Sequence, residues 1–164
     1  MKRLLVVRHA KAAKAEGRGE DFDRPLAPRG EHDAAEMGRR LARNKAHPGA
    51  ILTSPAERAL ATAKLIAREL DFPWDEIRTV KSAYLADASK LLNLVRGIDE
   101  RVESALLVGH NPGISELARA LTRNFAQDLP TGAVVSVDLP ADTWAGVRRG
   151  SGSLRFYDYP KNRP

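Results

Sequence analysis

The feature that most constrains the fold is the apolar run Leu4–Val7, which is followed at once by Arg8 and His9. Four consecutive apolar residues near the start of a chain predict a short strand that is buried on both faces. In open α/β sheets, ligands bind at the carboxyl ends of such strands. We therefore expect the first strand to deliver an arginine and a histidine to a functional site.

Two further apolar runs, at 50–52 and 104–108, also lead to reactive side chains. The first precedes Arg58 and the second precedes His110. Because the carboxyl ends of parallel strands share one edge of a sheet, these groups are expected to meet the first arginine and histidine there. Two guanidinium groups and two imidazoles would form a receptor for a doubly charged tetrahedral anion, and phosphate fits that description.

The apolar residues between these runs recur at helical spacing. The predicted helical stripes lie at 34–42, 59–70, 91–98 and 114–121. The end of the chain is strand-like at 133–139, 143–147 and 154–157, and a weaker strand is predicted at 77–80. Strands that alternate with amphipathic helices predict an α/β fold: a three-layer α/β/α sandwich with a mostly parallel central sheet and antiparallel C-terminal strands.

Three segments have the residues of a helix N-terminus. Residues 54–57 match a capping box with proline in the first helical position. Asn111 with Pro112 is a second predicted cap, and Asp87 is a third. The first two helix ends would direct partial positive charge toward the same sheet edge, where it would favour an anion.

The candidate site residues also have structural interpretations. The helix dipole disfavours a cation in the first turn, so Arg58 either grips an anion or forms a salt bridge with Glu57 or Asp23. A metal site is disfavoured, because no His-x-His or His-Glu-x-x-His spacing occurs and neighbouring arginines would repel a cation. The other two histidines, His32 and His47, are interpreted as solvated surface residues.

The composition narrows the chemistry further. The 164 residues suggest a single domain over 1–164, and the lack of cysteine excludes disulfides and a cysteine nucleophile. The net charge of +6 indicates either a solvated basic surface or anionic partners. With aromatic residues at 5% and no basic helix or stacking motif, no nucleic acid partner is predicted. No signal peptide or membrane-spanning run is found, and we expect a cytoplasmic monomer with no membrane partner.

Four motifs in the order of the chain resemble the histidine phosphatase (phosphoglycerate mutase-like) superfamily: Arg8-His9-Ala10, Asp23-Arg24-Pro25-Leu26 with Arg29-Gly30, Thr53-Ser54-Pro55 with Arg58 and Thr62-Ala63, and Gly109-His110-Asn111-Pro112. The short chain without an inserted cap, and the Asn-Pro after the second histidine, are most similar to the SixA-type phosphohistidine phosphatases of that superfamily. The resemblance implies a phosphoglycerate mutase-like fold.

The resemblance also implies roles for the site residues. His9 would be the nucleophile and would become transiently phosphorylated. Arg8, Arg58 and His110 would bind the phosphoryl group and stabilise its oxygens during transfer. Neither a metal nor an organic cofactor is implied.

Three neighbouring residues are further expected substrate contacts: Asn111, Ser54 and Lys11. Lys11 begins a long charged loop that leaves the first strand, and such loops frequently carry function. We expect Lys14 and Arg18 of this loop to help select an anionic, phosphorylated partner. The alternative is a charged surface loop that has no partner.

One departure from the superfamily bears on the substrate. Other members use a glutamate, or an aspartate directly after the second histidine, as the general acid. Here Asn111 has the latter position, and the stretch 84–89 offers only Asp87, which is expected to cap a helix rather than donate a proton. An alkoxide leaving group needs a proton donor, whereas the imidazole released from phosphohistidine can already be protonated on its other nitrogen.

We therefore predict a metal-independent phosphatase that hydrolyses phosphohistidine on a protein partner, through a covalent phosphohistidine intermediate at His9. Two alternatives stay open. One is a phosphomonoesterase of the same superfamily that acts on a small phosphorylated molecule. The other is a phosphoprotein-binding module that has the pocket but no turnover.

Overall fold

The computed structural model describes residues 1–15 and 19–163. In that part of the chain the strands are β1 (Lys2–Arg8), β2 (Ala50–Thr53), β3 (Arg78–Thr79), β4 (Ser104–Gly109), β5 (Val134–Leu139) and β6 (Ser153–Asp158). The helices are α1 (Pro28–Arg43), α2 (Glu57–Glu69), α3 (Ala88–Arg96) and α4 (Gly113–Leu121). This alternation of strands and helices confirms the predicted α/β fold.

The strands form one mixed sheet in the order β3-β2-β4-β1-β5-β6. The first four of these are parallel to one another, whereas β5 is antiparallel to β1 and β6 is antiparallel to β5. Helices α1 and α2 cover one face of the sheet, and α3 and α4 cover the other. The predicted three-layer sandwich with antiparallel C-terminal strands is confirmed. No helix in the described ranges is long and apolar enough to cross a membrane.

The two faces of β1 explain why its sequence is apolar without interruption. Leu4 and Val6 pack into the core under α3 and α4, while Leu5 and Val7 pack into the core under α1 and α2. Each of these four side chains is at most 1% exposed. A central parallel strand with both faces covered has no polar side from which alternation could arise.

The register of the parallel strands aligns their carboxyl ends. Arg8 at the end of β1 lies opposite Gly109 at the end of β4, and Val108 lies opposite Thr53 at the end of β2. Just beyond β1, the His9 N–H donates to the Gly109 carbonyl at 3.1 Å. The three strand exits therefore share one edge of the sheet, as predicted.

Two predicted helix starts are wrong. Helix α2 begins at Glu57 rather than with proline in its first turn, because Ser54 lies in a non-helical turn where its hydroxyl accepts the Ala56 N–H at 3.2 Å. Helix α4 begins at Gly113, and Asn111 does not cap it, because the Asn111 side-chain oxygen accepts the Ser115 hydroxyl instead of a backbone N–H. The third cap is confirmed.

The predicted strand at 143–147 is also wrong, and the strand predicted at 77–80 is reduced to the two residues of β3. The apolar signal at 143–147 comes from a turn that inserts the fully buried Trp144 into the core. Its indole N–H donates to the Val102 carbonyl at 2.7 Å, and its backbone N–H donates to Glu100 at 2.9 Å. In the sequence, a buried aromatic residue in a turn gives the same apolar signal as a residue of a buried strand.

We predict that Gly30→Ala destabilises the protein by roughly 1–3 kcal/mol, the usual range for overpacking. Gly30 lies in the first turn of α1, and a Cβ there would overlap the backbone carbonyl of Lys11. The matched control is Gly97→Ala, because a Cβ at Gly97 meets only carbonyl oxygens at 3.6 Å. Equilibrium unfolding in urea measures both. Equal stability of the two variants would contradict this account of how α1 is held against the loop after β1.

Candidate active site

A cavity of about 330 Å³ opens at the shared edge of the strand exits. We call it the cup. Its lining includes the four residues predicted to converge, Arg8, His9, Arg58 and His110. The remaining lining residues are Lys11, Ala12, Arg24, Leu85, Asn111 and Thr131. No carboxylate is among the described residues that line the cup, so its charged side chains are all cations.

His9 is held in one orientation at the end of β1. Its Nδ1 lies 2.7 Å from the carbonyl oxygen of Ala10, which can only accept a hydrogen bond. Nδ1 therefore carries the proton, and Nε2 carries the lone pair. The Ala10 N–H in turn donates to the Thr62 hydroxyl at 3.0 Å, so α2 fixes the backbone that fixes the ring.

His110 stands beside His9, with 5.2 Å between the ring centroids. Its Nε2 lies 2.8 Å from the Ser54 hydroxyl, while its buried Nδ1 has no hydrogen-bond partner within residues 1–15 and 19–163. Ser54 is fully buried behind this ring. We expected Ser54 to contact the substrate directly, but it touches His110 instead, because the turn before α2 directs its hydroxyl inward.

Arg8 and Asn111 are anchored to the same backbone group. The Arg8 Nη1 and the Asn111 Nδ2 each donate to the carbonyl oxygen of Leu129 at 2.9 Å. The Arg8 Nε is buried and has no partner among the described residues. Arg8 Nε and His110 Nδ1 are thus two unpaired polar atoms on side chains that line the cup. A buried polar group without a partner is costly, so both indicate a site that a ligand completes.

Arg58 is in the first turn of α2 and is 4% exposed. Its Nε lies 3.4 Å from His9 Nε2. Its two terminal nitrogens donate to Asp21, one to the backbone carbonyl at 2.7 Å and one to the carboxylate at 3.0 Å. The salt bridge that we considered as an alternative role for Arg58 is present, with Asp21 as the partner rather than Glu57 or Asp23, and Arg58 also lines the cup.

Asp21 connects three side chains around the cup. Besides Arg58, its carboxylate accepts the Tyr84 hydroxyl at 2.6 Å and an Arg24 N–H at 3.1 Å. The hydrogen bond from Tyr84, together with those from Arg24 and Arg58, holds the pKa of Asp21 at about 2. The carboxylate is therefore ionised at neutral pH and cannot act as a proton donor.

Both imidazoles of the cup are neutral at pH 7. Burial, together with the positive charges of Arg58 and Arg8, lowers the pKa of His9 to about 4. Burial, His9 and Arg58 lower the pKa of His110 to about 3. A neutral ring with a free nitrogen is a nucleophile, whereas a protonated ring is not.

The residue considered for proton donation and the other two histidines lie outside the cup. Asp87 accepts the Lys90 N–H at 2.9 Å, which confirms it as the cap of α3, and it is not among the residues that line the cup. His32 and His47 are exposed, as predicted. Within the described ranges no three His, Cys, Asp or Glu side chains are grouped so that they could hold a metal ion.

Sequence reasoning did not identify Arg24 or Leu85 as lining residues. Arg24 belongs to the motif Asp23-Arg24-Pro25-Leu26 and is oriented by its Nε, which donates to the Ala13 carbonyl at 2.9 Å. Its charge in the loop after β1 was the available signal. Lys11 lines the cup, as expected, and Lys14 is exposed, whereas Arg18 lies outside the described residues.

The lowered histidine pKa values make stability depend on pH. Between pH 6.5 and about 4 the unfolded chain binds protons on these rings that the folded protein does not. We expect the free energy of unfolding to fall as the pH is lowered through that window, by up to about 1.4 kcal/mol per pH unit for each ring. Urea titrations measure this, and replacing His9 and His110 by glutamine should flatten the dependence. An NMR titration midpoint near 6.5 for either ring would contradict the prediction.

We expect Arg58→Ala to weaken binding of phosphate or tungstate by about 10- to 100-fold, as for a lost charge-assisted hydrogen bond. Arg58→Lys should lose much less, because it keeps the positive charge. The matched control is Arg68→Ala, which removes an exposed arginine from the last turn of the same helix. Isothermal titration calorimetry measures all three. Equal losses in both Arg58 variants would contradict the prediction that the positive charge of this side chain is what holds the anion.

Comparison with known proteins is consistent with this site. The model of the histidine phosphatase superfamily (branch 1) matches residues 4–87. An uncharacterized protein of Mycobacterium tuberculosis is 31% identical over 165 residues, which cover 94% of this chain and all of the relative. An uncharacterized chloroplastic protein of Arabidopsis thaliana is 30% identical over 74% of this chain and 59% of its own.

Solved structures share the fold over almost the whole chain. A candidate phosphohistidine phosphatase SixA from Agrobacterium tumefaciens has a TM-score of 0.83 at 27% identity, covering 97% of this chain and 98% of its own. The protein histidine phosphatase SixA complexed with tungstate has a TM-score of 0.82 at 23% identity, covering 96% of this chain and 97% of its own. A mycobacterial glucosyl-3-phosphoglycerate phosphatase has a TM-score of 0.68 at 16% identity, covering 94% and 97%. The chain belongs to the histidine phosphatase superfamily and is a phosphatase with the fold of its SixA-type members.

Proposed function

We propose that this phosphatase removes the phosphoryl group from phosphohistidine on a protein partner, with His9 as the nucleophile. One observation carries the proposal. The His9 ring is neutral, its Nδ1 is hydrogen-bonded to the Ala10 carbonyl, and its Nε2 faces Arg58 inside a cup whose charged side chains, among the described residues, are cations. Such a ring has its lone pair directed at the place where an anionic phosphoryl group would bind.

The reaction has two displacements at phosphorus. In the first, the lone pair of His9 Nε2 forms a bond to phosphorus while the substrate P–N bond breaks. Its electron pair goes to the departing imidazole, which leaves neutral because its other nitrogen carries a proton. In the second, water attacks phosphorus, the bond to Nε2 breaks, and the proton of the water passes to solvent as phosphate is released. Covalent catalysis thus divides one displacement into two easier steps.

Arg8, Arg58 and His110 would stabilise the oxygens of the transferring group. Phosphoryl transfer requires mainly positioning and charge stabilisation from the protein. The Ser54 hydroxyl accepts the Ala56 N–H, so its own proton is available for His110 Nε2. His110 Nδ1 would then carry a proton that it can donate to a phosphoryl oxygen, and Arg8 Nε would donate a second hydrogen bond.

The chemistry of the leaving group favours phosphohistidine. Asp21 is ionised, Asp87 caps α3, and neither lines the cup where an alkoxide would need a proton. The SixA protein from Agrobacterium tumefaciens is described as a candidate phosphohistidine phosphatase, and the tungstate complex is that of a protein histidine phosphatase; both descriptions support the same substrate. The four central groups all come from this chain, which supports our proposal that a single domain over 1–164 acts as a monomer.

The runner-up is a phosphomonoesterase that acts on a small phosphorylated molecule. The open cup of about 330 Å³ would admit one, and the glucosyl-3-phosphoglycerate phosphatase with the same fold is a precedent for a small substrate. The two functions differ in the leaving group, since an ester needs protonation of an alkoxide and a phosphoramidate does not.

We expect a burst of product that leaves acid-labile phosphate on the protein in rapid-quench experiments. His9→Ala should abolish turnover but keep most of the phosphate binding, and His32→Ala, an exposed histidine, is the matched control. The ratio of kcat/KM for a phosphohistidine peptide to that for an alkyl phosphate should exceed about 100. Turnover by His9→Ala would refute the nucleophile. Phosphate binding without any turnover would leave only the binding module, and a ratio below one would favour the phosphomonoesterase.

A further inference from the structure

Leu85 lines the cup, and its chain neighbour Tyr84 packs on both His110 and Phe22. We call Phe22, Tyr84 and Leu85 the lip. Leu85 lines the cup and is nevertheless 58% exposed. The Tyr84 ring packs edge-on against His110 with 5.4 Å between centroids, and Phe22 packs edge-on against Tyr84 at 5.2 Å. Among the described lining residues, Leu85 is the large apolar side chain in a cup of cations and polar groups.

The backbone at Leu85 is strained. Its φ of +51° is in the left-handed region, which leucine rarely adopts and which glycine or asparagine adopts more easily. The adjacent carbonyl of Ala86 lies so close to the start of α4 that a Cβ at Gly113 would overlap it. The segment is therefore pressed against the element that follows His110. Strain of this kind persists where function requires the side chain, and it clusters at ligand sites.

We propose that the lip binds the leaving group of the substrate, the imidazole ring of phosphohistidine, and selects it over leaving groups without a flat aromatic ring. This inference rests on the proposed function. If the phosphoryl group is held over His9 by the cations, the departing nitrogen points out of the cup toward its margin. A flat ring can pack on the Leu85 side chain and shed water there, whereas a sugar or an amine would gain little from that contact.

The position of the lip also accounts for its two aromatic members. Tyr84 is fixed at both ends, by its hydroxyl on Asp21 and by its ring edge on His110. Phe22 immediately follows the residue that holds Arg58. The groups that position the phosphoryl-binding arginine therefore also position the lip, so the two parts of the site are set relative to each other.

The test compares two substrates that share a P–N bond. Nε2-phosphohistidine carries the ring, and phosphoramidate carries only an amino group. The readout is the ratio of kcat/KM for phosphohistidine to that for phosphoramidate. We expect Leu85→Asn to lower this ratio about fivefold, because the variant removes the apolar contact. Leu85→Met should keep the ratio within about twofold, because it restores an apolar side chain of similar volume.

Two controls separate binding from folding. Asparagine tolerates the left-handed backbone better than leucine, so the melting temperature of Leu85→Asn should not fall. Trp74→Gln replaces another large exposed apolar residue, 53% exposed and located before β3 at the opposite edge of the sheet. It should leave the ratio unchanged.

The possible results distinguish a failure of the lip from a failure of the proposed function. An unchanged ratio in Leu85→Asn, with both substrates hydrolysed, would overturn the lip and leave the proposed function intact. Equal loss of both activities with a lower melting temperature would also overturn it, because Leu85 would then be structural. A wild-type protein that hydrolyses neither compound would overturn the proposed function, and the lip with it.

Discussion

The structure depends on the parallel register of β1 against β4. That pairing places Arg8 opposite Gly109, so both strands end at the same level and the residues that follow them lie side by side. The hydrogen bond from the His9 N–H to the Gly109 carbonyl extends the pairing one residue beyond β1. A slip of one residue would turn His9 to the other face of the sheet. The apolar packing on both faces of β1 prevents such a slip, so the core that stabilises the fold also aims the imidazole.

The second constraint is charge, because the site places neutral imidazoles next to charged arginines. Burial keeps both imidazoles neutral, while the arginines stay charged. Arg58 would be unfavourable in the first turn of α2, and the Asp21 carboxylate offsets that cost from outside the cup. Because Asp21 pairs with the outer side of the guanidinium, the Nε side remains directed toward His9. A carboxylate thus orients a cation without lining the cup.

The sequence alone was enough to predict the central strands and the meeting of the two histidines, but not the partners of Arg58 and Ser54. The apolar runs before His9 and His110 identify both strands, and parallel pairing then brings the two rings together. The partner of Arg58 could not be predicted, because Asp21 reaches it through the packing of an irregular loop across 37 positions of sequence. Ser54 was misassigned because its hydroxyl fits a helix cap and a histidine contact equally well in sequence. Only the position of His110 decides between them.

The site also shows where the protein accepts local instability. Arg8 Nε and His110 Nδ1 lack partners in the described part of the chain, and Leu85 is held in a left-handed backbone. Each costs stability, and all three side chains line one cavity. An oxyanion would satisfy the two polar atoms, and a flat apolar group would cover the leucine. A substrate that joins a phosphoryl group directly to an imidazole ring has both parts within one bond of each other. The three local costs are therefore complementary to a single molecule.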